Sequence, residues 1–262
     1  MTFKDHFSER AQAYAQARPT YPPALFTALA ALAPGWELAW DVGTGNGQAA
    51  RGLAEHFERV LATDASAKQL AEAASHPHIV YRQANETASG LRDRSADLVT
   101  VAQAAHWFDL PAFYAEALRV LRPGGVLAMW AYGLAMITPP IDDIVERFYR
   151  ETVGRYWPPE RRHIETGYRD LPFPLPDLPF PPLAMEHRWT LGELLGYIST
   201  WSAVSGYRKE TGADPIPALE TELRAAWGDP DRRHLVRWPL VGRIGRTAAS
   251  GGRVSRQMTS PG

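Results

Sequence analysis

The segment Asp41-Val-Gly-Thr-Gly-Asn-Gly47 carries the strongest chemical signal in the sequence. Glycines at 43, 45 and 47, between an apolar run and a helix-forming one, let a backbone come close to a ligand. The free N–H groups at the start of the following helix favour an anion. A nucleotide-like ligand fits such a turn; a tight strand-to-helix turn with no ligand is the plain alternative. The dinucleotide fingerprint G-x-G-x-x-G/A is not met, because Gln48 holds the sixth position counted from Gly43 and is too large for close helix packing. Asp41 stands where dinucleotide folds usually keep an apolar strand residue, and a cationic group on the ligand would explain it.

Asp64 closes the apolar run Val60-Leu-Ala-Thr-Asp64, 21 residues beyond Gly43. An acid at the tip of a second strand can accept both hydroxyls of a ribose in charge-assisted hydrogen bonds. The other use of Asp64 is to cap a helix over 65–74. His106, Trp107 and Phe108 follow the run 98–102, at the strand end where open α/β sheets bind ligands. His106 is there either a catalytic or substrate-contacting group or a structural histidine. Trp107 is a candidate substrate contact beside the packing role usual for aromatic residues. His76 and His78 have a metal-like spacing but no third ligand nearby, so they read as surface histidines and no metal site is expected.

These residues need a particular order of elements to stand where their chemistry requires. Pro22 and Pro23, followed by Leu25, Phe26, Leu29 and Leu32 at helical spacing, predict a first helix closed by Pro34-Gly35. Residues 38–42 read as a buried strand, 43–47 as the tight loop and 48–56 as a helix. Further strand-like runs lie at 60–63, 79–82, 98–102 and 126–130. Five strands alternating with helices predict a parallel sheet covered on both faces. Eight prolines between Pro158 and Pro182 exclude regular helix or central strand there. Phe173, Leu175, Leu178 and Phe180 alternate with those prolines and predict an ordered wall or lid rather than a solvated tether. Late strands at 184–190 and 235–247, with helices at 191–202 and 216–227, complete the pattern. The expected fold is α/β: a Rossmann-like, seven-stranded, mostly parallel sheet with helices on both faces and a substrate-capping insertion before the last strands. Its parts are an N-terminal lid and first helix (1–35), a cofactor-binding core (36–132), an insertion and completing strands of the same domain (133–247) and a disordered tail (248–262).

Composition narrows the partners. Apolar residues at 45% and charged residues at 22% of 262 exclude collagen-like, coiled-coil and wholly disordered classes. With 28 basic against 29 acidic side chains, net −1, nothing draws the chain toward nucleic acid or anionic lipid, and a small or uncharged partner is expected. The absence of cysteine excludes disulfides, thiol catalysis and thiolate metal sites, and fits a reducing compartment. Lys4, Asp5, Glu9 and Arg10 leave no apolar leader for secretion, and the uncharged stretch 126–141 holds Gly133, Pro139 and Pro140 and is too short to span a bilayer. A cytoplasmic location follows as an expectation; the oligomeric state is not legible.

Residues 41–47, Asp64, the segment Asp97-Leu-Val-Thr-Val-Ala-Gln-Ala-Ala-His-Trp-Phe-Asp109 and Leu121-Arg-Pro-Gly-Gly-Val-Leu127 resemble the ordered motifs of class I S-adenosylmethionine-dependent methyltransferases. The resemblance covers roughly residues 1 to 247. Tyr14-Ala-Gln-Ala-Arg-Pro-Thr-Tyr-Pro22, the run 103–108 and Tyr-Ile-Ser-Thr-Trp-Ser at 197–202 are similar to the small-molecule branch that includes trans-aconitate methyltransferases. The resemblance implies S-adenosyl-L-methionine as cofactor. Gly43, Gly45 and Gly47 would pass under its methionine part, Asp41 would serve the ammonium and Asp64 would hold the ribose. Ala84 and Asn85 would flank adenine, although many relatives carry an acid or hydroxyl where Gln83 to Asn85 stand. Gln103 would lie near the methyl donor, or else be a buried amide bridging two loops.

A sulfonium methyl is already electrophilic, so the protein mainly adds in-line positioning and exclusion of water. An ionised carboxylate acceptor needs no general base, only a cation to orient it, and arginine's planar fork suits that task. Arg18 and Arg208 are the candidates, each otherwise a solvated charge. Tyr14 and Tyr21 either line the same lid or pin the leader to the core. The expected activity is methyl transfer to a small molecule such as a carboxylic acid. The alternatives are a methyltransferase acting on protein or RNA, a cofactor-binding protein without catalysis, and a nicotinamide oxidoreductase, which Gln48 and Asp41 disfavour.

Overall fold

The structure, a computed structural model, describes residues 19–249; Tyr14, Arg18 and the tail from 250 lie outside the described residues. The chain forms two compact units. One comprises Pro23–Trp130, Leu171–Pro181 and 242–249; the other comprises 19–22, Ala131–Asp170 and Pro182–Val241.

In the first unit, β1 (Leu38–Val42), β2 (Arg59–Asp64), β3 (Ile79–Gln83), β4 (Ala96–Ala102) and β5 (Leu121–Tyr132) pair in parallel in the order β3-β2-β1-β4-β5. Every residue of β1 is buried, as a central strand covered on two sides requires. The sheet continues through strands that come later in the chain. The short β6 (Asp177–Leu178) and β7 (Ala184–Trp189) both pair antiparallel with β8 (His234–Arg246), which follows β5 in the strand order. The sheet is thus mostly parallel and Rossmann-like, with β6 as a strand beyond the seven expected.

Helix α1 (Pro23–Leu32) buries Leu25, Phe26 and Leu29. It approaches α2 (Gln48–Ala54) so closely that a Cβ at Gly52 would overlap the Phe26 ring. Then come the short α3 (Ala67–Ala71) and α4 (Leu110–Val120), whose N-cap Asp109 accepts the Ala112 N–H. The other unit holds α5 (Pro139–Arg147), α6 (Arg162–Glu165), α7 (Leu191–Ser199), α8 (Ser202–Thr211) and α9 (Ile216–Trp227). Helix α7 opens with a capping box in which Thr190 and Glu193 satisfy each other's backbone N–H.

The proline-rich segment departs from expectation in one respect. Pro159 begins a 3₁₀ turn that runs into the single turn of α6, because residues 160–171 contain no proline. Its second half is ordered, as its apolar residues predict. Tyr114 Oη donates to the Pro172 carbonyl at 2.7 Å, and Arg243 stacks on Phe173 at 4.6 Å while pairing with Asp177 at 2.6 Å. β6 lies at the end of the strand order, where prolines on either side do no harm.

Candidate active site

The glycine turn sits between β1 and α2, and all three glycines take left-handed conformations, with φ of 66°, 58° and 80°. Side chains from two directions close on it. A Cβ at Gly43 would come within 2.7 Å of Ala104 Cβ and 3.2 Å of Phe108 Cζ, and one at Gly47 within 2.8 Å of Tyr81 Cε1. A Cβ at Gly45 would meet only Gln69 Oε1, at 3.7 Å.

Asp41 lies completely buried under this turn. Thr44 Oγ1 donates to its Oδ2 at 2.6 Å and Thr100 Oγ1 to its Oδ1 at 2.8 Å, and the Ala50 backbone N–H adds a third bond. Burial raises its pKa to about 6; the Thr44, Thr100 and Ala50 bonds oppose the rise and the charge of Asp64 adds to it. An acid whose pKa is raised on folding binds its proton more tightly in the folded state. Protonation therefore favours the fold below about pH 4, and that advantage is lost as pH rises to about 6, a cost of about 3 kcal/mol above that point. Asp41→Asn, a neutral isostere, is expected to raise Tm at pH 8 by several degrees and to leave it unchanged near pH 4. Thermal melts across that range check this; equal shifts at both pH values would refute it.

Asp64 ends β2, and its half-buried carboxylate lies across the turn from the glycines. The Gly45 N–H donates to Oδ2 at 2.8 Å and the Ser66 N–H to Oδ1 at 2.8 Å. The helix cap is Ser66 instead, whose hydroxyl accepts the Gln69 N–H, so Asp64 does not serve as the cap of α3. Ala84 donates its N–H to the Asp64 carbonyl at 3.1 Å, and the Asn85 carbonyl accepts from Ala88. Gln103, at the end of β4, has a positive φ of 57° and donates its N–H to the Trp130 carbonyl.

Next comes the 3₁₀ turn Ala105–Trp107, which carries His106 half-buried with its ring centroid 4.8 Å from that of Trp107. Trp107 is 59% exposed, a large surface for an aromatic ring to leave in water. Ala104 and Phe108, on either side of this turn, are the residues that pack on Gly43. Glu86 accepts the Asp109 N–H at 3.3 Å and ties the loop after β3 to the same segment. Asp41, the glycines, Asp64, Ala84, Asn85, Gln103, His106 and Trp107 therefore share one unit and, apart from Asp41 beneath, the carboxyl edge of its sheet.

Tyr21 and Arg208 belong to the other unit. Tyr21 is buried, edge-on to Tyr132 at 6.4 Å. Arg208 directs two nitrogens at Asp214 Oδ1, at 2.9 and 3.1 Å, and a third at the Ser199 carbonyl. Its fork is committed within its own unit. His76 and His78 lie in an exposed loop, and no group of three metal-ligating side chains occurs among the described residues.

Sequence reasoning missed the supporting residues Thr44, Thr100 and Tyr81. Thr44 was legible as a hydroxyl inside the turn. Thr100 is the cross-strand partner of Asp41, a relation fixed by register rather than by spacing.

The methyltransferase domain family matches residues 40–129. A Dictyostelium discoideum protein named among methyltransferases is 35% identical over 233 residues, covering 87% of this chain and 89% of its own. A Saccharomyces cerevisiae protein, named among S-adenosylmethionine-dependent methyltransferases, is 27% identical over 172 residues, 59% of this chain and 58% of its own. Among solved structures, a protein described as a type II methyltransferase from Anaeromyxobacter dehalogenans superposes with a TM-score of 0.84 at 49% identity, over 89% of this chain and 99% of its own. With a Rossmann-like sheet, a glycine turn after β1 and an acid at the tip of β2 already in place, this likeness across nearly the whole length decides the family: the chain belongs to the class I S-adenosylmethionine-dependent methyltransferases.

Proposed function

We propose that the glycine turn and Asp64 hold S-adenosylmethionine and that the turn carrying His106 presents a small organic acid for methylation. The residues suit the cofactor. The turn is open at Gly45, where a Cβ would meet only Gln69 Oε1, while side chains packed on Gly43 and Gly47 hold it in place, and Asp64 keeps lone pairs beyond the two used by Gly45 and Ser66, enough for two ribose hydroxyls. Ala84 and Asn85 would flank the adenine, and Gln103 would stand near the reacting carbon. When bound, the cofactor supplies an electrophilic methyl group on a sulfonium centre.

One observation carries the placement of the acceptor: Ala104 and Phe108, which bracket His106, pack directly on Gly43. Groups on that turn are therefore held in register with whatever the glycines cradle. The net charge of −1 and the lack of a basic run argue against a polyanionic acceptor and for a small molecule. The acid class rests on the resemblance to trans-aconitate methyltransferases and on a nucleophile that needs no base. Arg18 and Arg208 are the candidate orienting cations, and Arg208 would first have to release Asp214.

Incubation with methyl-labelled S-adenosylmethionine and a panel of organic acids, phenols and amines tests this by mass spectrometry. Acids should gain one labelled methyl; phenols or amines reacting far faster would overturn the acid assignment. With the acceptor in hand, His106→Ala should lower kcat/KM roughly tenfold through lost positioning, with no histidine-like step in the rate against pH. A loss of about 100-fold or more, with a wild-type rate rising through pH 6 to 7, would make His106 a general base.

A further inference from the structure

At the opposite edge of the same sheet lies a cavity of about 470 Å³. Leu38, Arg59 and Arg122, at the starts of β1, β2 and β5, line it, as does the loop 90–95 that leads into β4. Strands of five to seven residues, at about 3.3 Å per residue, separate it from the glycine turn by roughly 15–20 Å. It is therefore not part of the site already described, because ligands of open α/β sheets bind at the carboxyl ends.

The charges around the cavity do not balance. Arg122 is neutralised by Asp97 at 2.8 Å and Glu37 at 3.2 Å, and Asp93 is held by Arg119 at 2.5 Å. Arg59, Arg92 and Arg94 also line the space, and none of their guanidinium groups has a hydrogen-bond or ion-pair partner among the described residues. Three positive forks around one concavity repel one another until an anion joins them.

The backbone gives a second, independent sign. Arg94 has a φ of 52°, in the left-handed region where glycine or asparagine is the cheap choice. Its N–H is fixed to the Arg119 carbonyl at 2.9 Å, so the conformation is built in. A strained residue that keeps a long cationic side chain at a cavity wall points to a use for that side chain.

We propose that this cavity is a second ligand site, for a compact phosphate-bearing small molecule gripped by Arg59, Arg92 and Arg94. Guanidinium forks match phosphate oxygens bidentately, and condensed phosphates offer enough charge in a small volume to engage three of them. The binding needs neither the methyl acceptor nor the transfer reaction.

Calorimetry with pyrophosphate, at about 150 mM salt and with saturating S-adenosylmethionine so that the glycine turn is occupied, tests the proposal. The wild type should bind one equivalent with a Kd of about 1 mM or below. Arg94→Gly removes the backbone strain together with the cation, so its Tm should hold or rise while pyrophosphate affinity falls at least tenfold. Arg59→Gln should weaken binding to a similar degree. S-adenosylmethionine affinity should not change in either variant. Absence of wild-type binding, affinity unchanged in Arg94→Gly, or citrate bound as tightly as pyrophosphate would each overturn the assignment.

Discussion

Gly47→Ala is expected to destabilise the fold by about 2–5 kcal/mol, read as a lower Tm, and to weaken S-adenosylmethionine binding as far as the turn shifts to relieve the clash. Two effects add. An alanine at a φ of 80° carries about 1–2 kcal/mol of backbone strain. Its Cβ would also lie 2.8 Å from Tyr81 Cε1, in a ring that β3 holds in register with β2, so neither side yields without shifting the turn. Overpacking of this kind typically costs about 1–3 kcal/mol. Removing the ring should recover part of the loss: Gly47→Ala combined with Tyr81→Ala should be more stable than the sum of the single effects by about 1 kcal/mol or more. Thermal melts of the four proteins measure this coupling. Strict additivity would mean that the turn relaxes away from Tyr81.

Asp64→Ala should reduce S-adenosylmethionine affinity by roughly tenfold to several hundredfold, since each hydrogen bond to a charged acceptor contributes about 1.5–3 kcal/mol. The same change strips the acceptor from the Gly45 and Ser66 N–H groups, so the turn loses its brace as well. Asp64→Asn separates the two roles, because its one amide oxygen can still accept from a backbone N–H while the charge is gone. Affinity in the Asn variant should lie between wild type and Ala. A folded Ala variant binding as tightly as wild type by calorimetry would remove Asp64 from the cofactor site.

What the sequence made legible was whatever is local along the chain. The bounds of β1, the glycine turn and Asp64 at the tip of β2 follow from an apolar run, three glycines and an acid, all within one β-loop-α-β stretch. The carboxyl-edge position of His106 follows from the same reasoning applied to β4. What stayed hidden depends on neighbours that only folding supplies. Thr100 reaches Asp41 through strand register, Tyr81 reaches Gly47 from β3, and Phe108 reaches Gly43 from the segment after β4. Helix α5, for which the sequence predicts no element, opens on Pro139-Pro140, since the first turn of a helix accepts proline without losing a hydrogen bond. Helix α8 was missed because its sequence is polar, with Gly206 in the middle; that glycine lies against Tyr156, where a Cβ would come within 3.1 Å.

The late return of β8 to the edge of β5 has a consequence during synthesis. Gly242 lies so close to β5 that an added Cβ would come within 2.8 Å of Trp130 Cα, and no other strand among the described residues stands beside β5 on that side. When Trp130 leaves the ribosome, the backbone that will cover it is still more than a hundred codons away. At about 5–20 residues per second the wait is roughly 5 to 25 seconds, during which a nascent β5 carries an open hydrogen-bonding edge. Translation pace over the second half of the message should therefore govern the yield of soluble enzyme more strongly than pace over the first half.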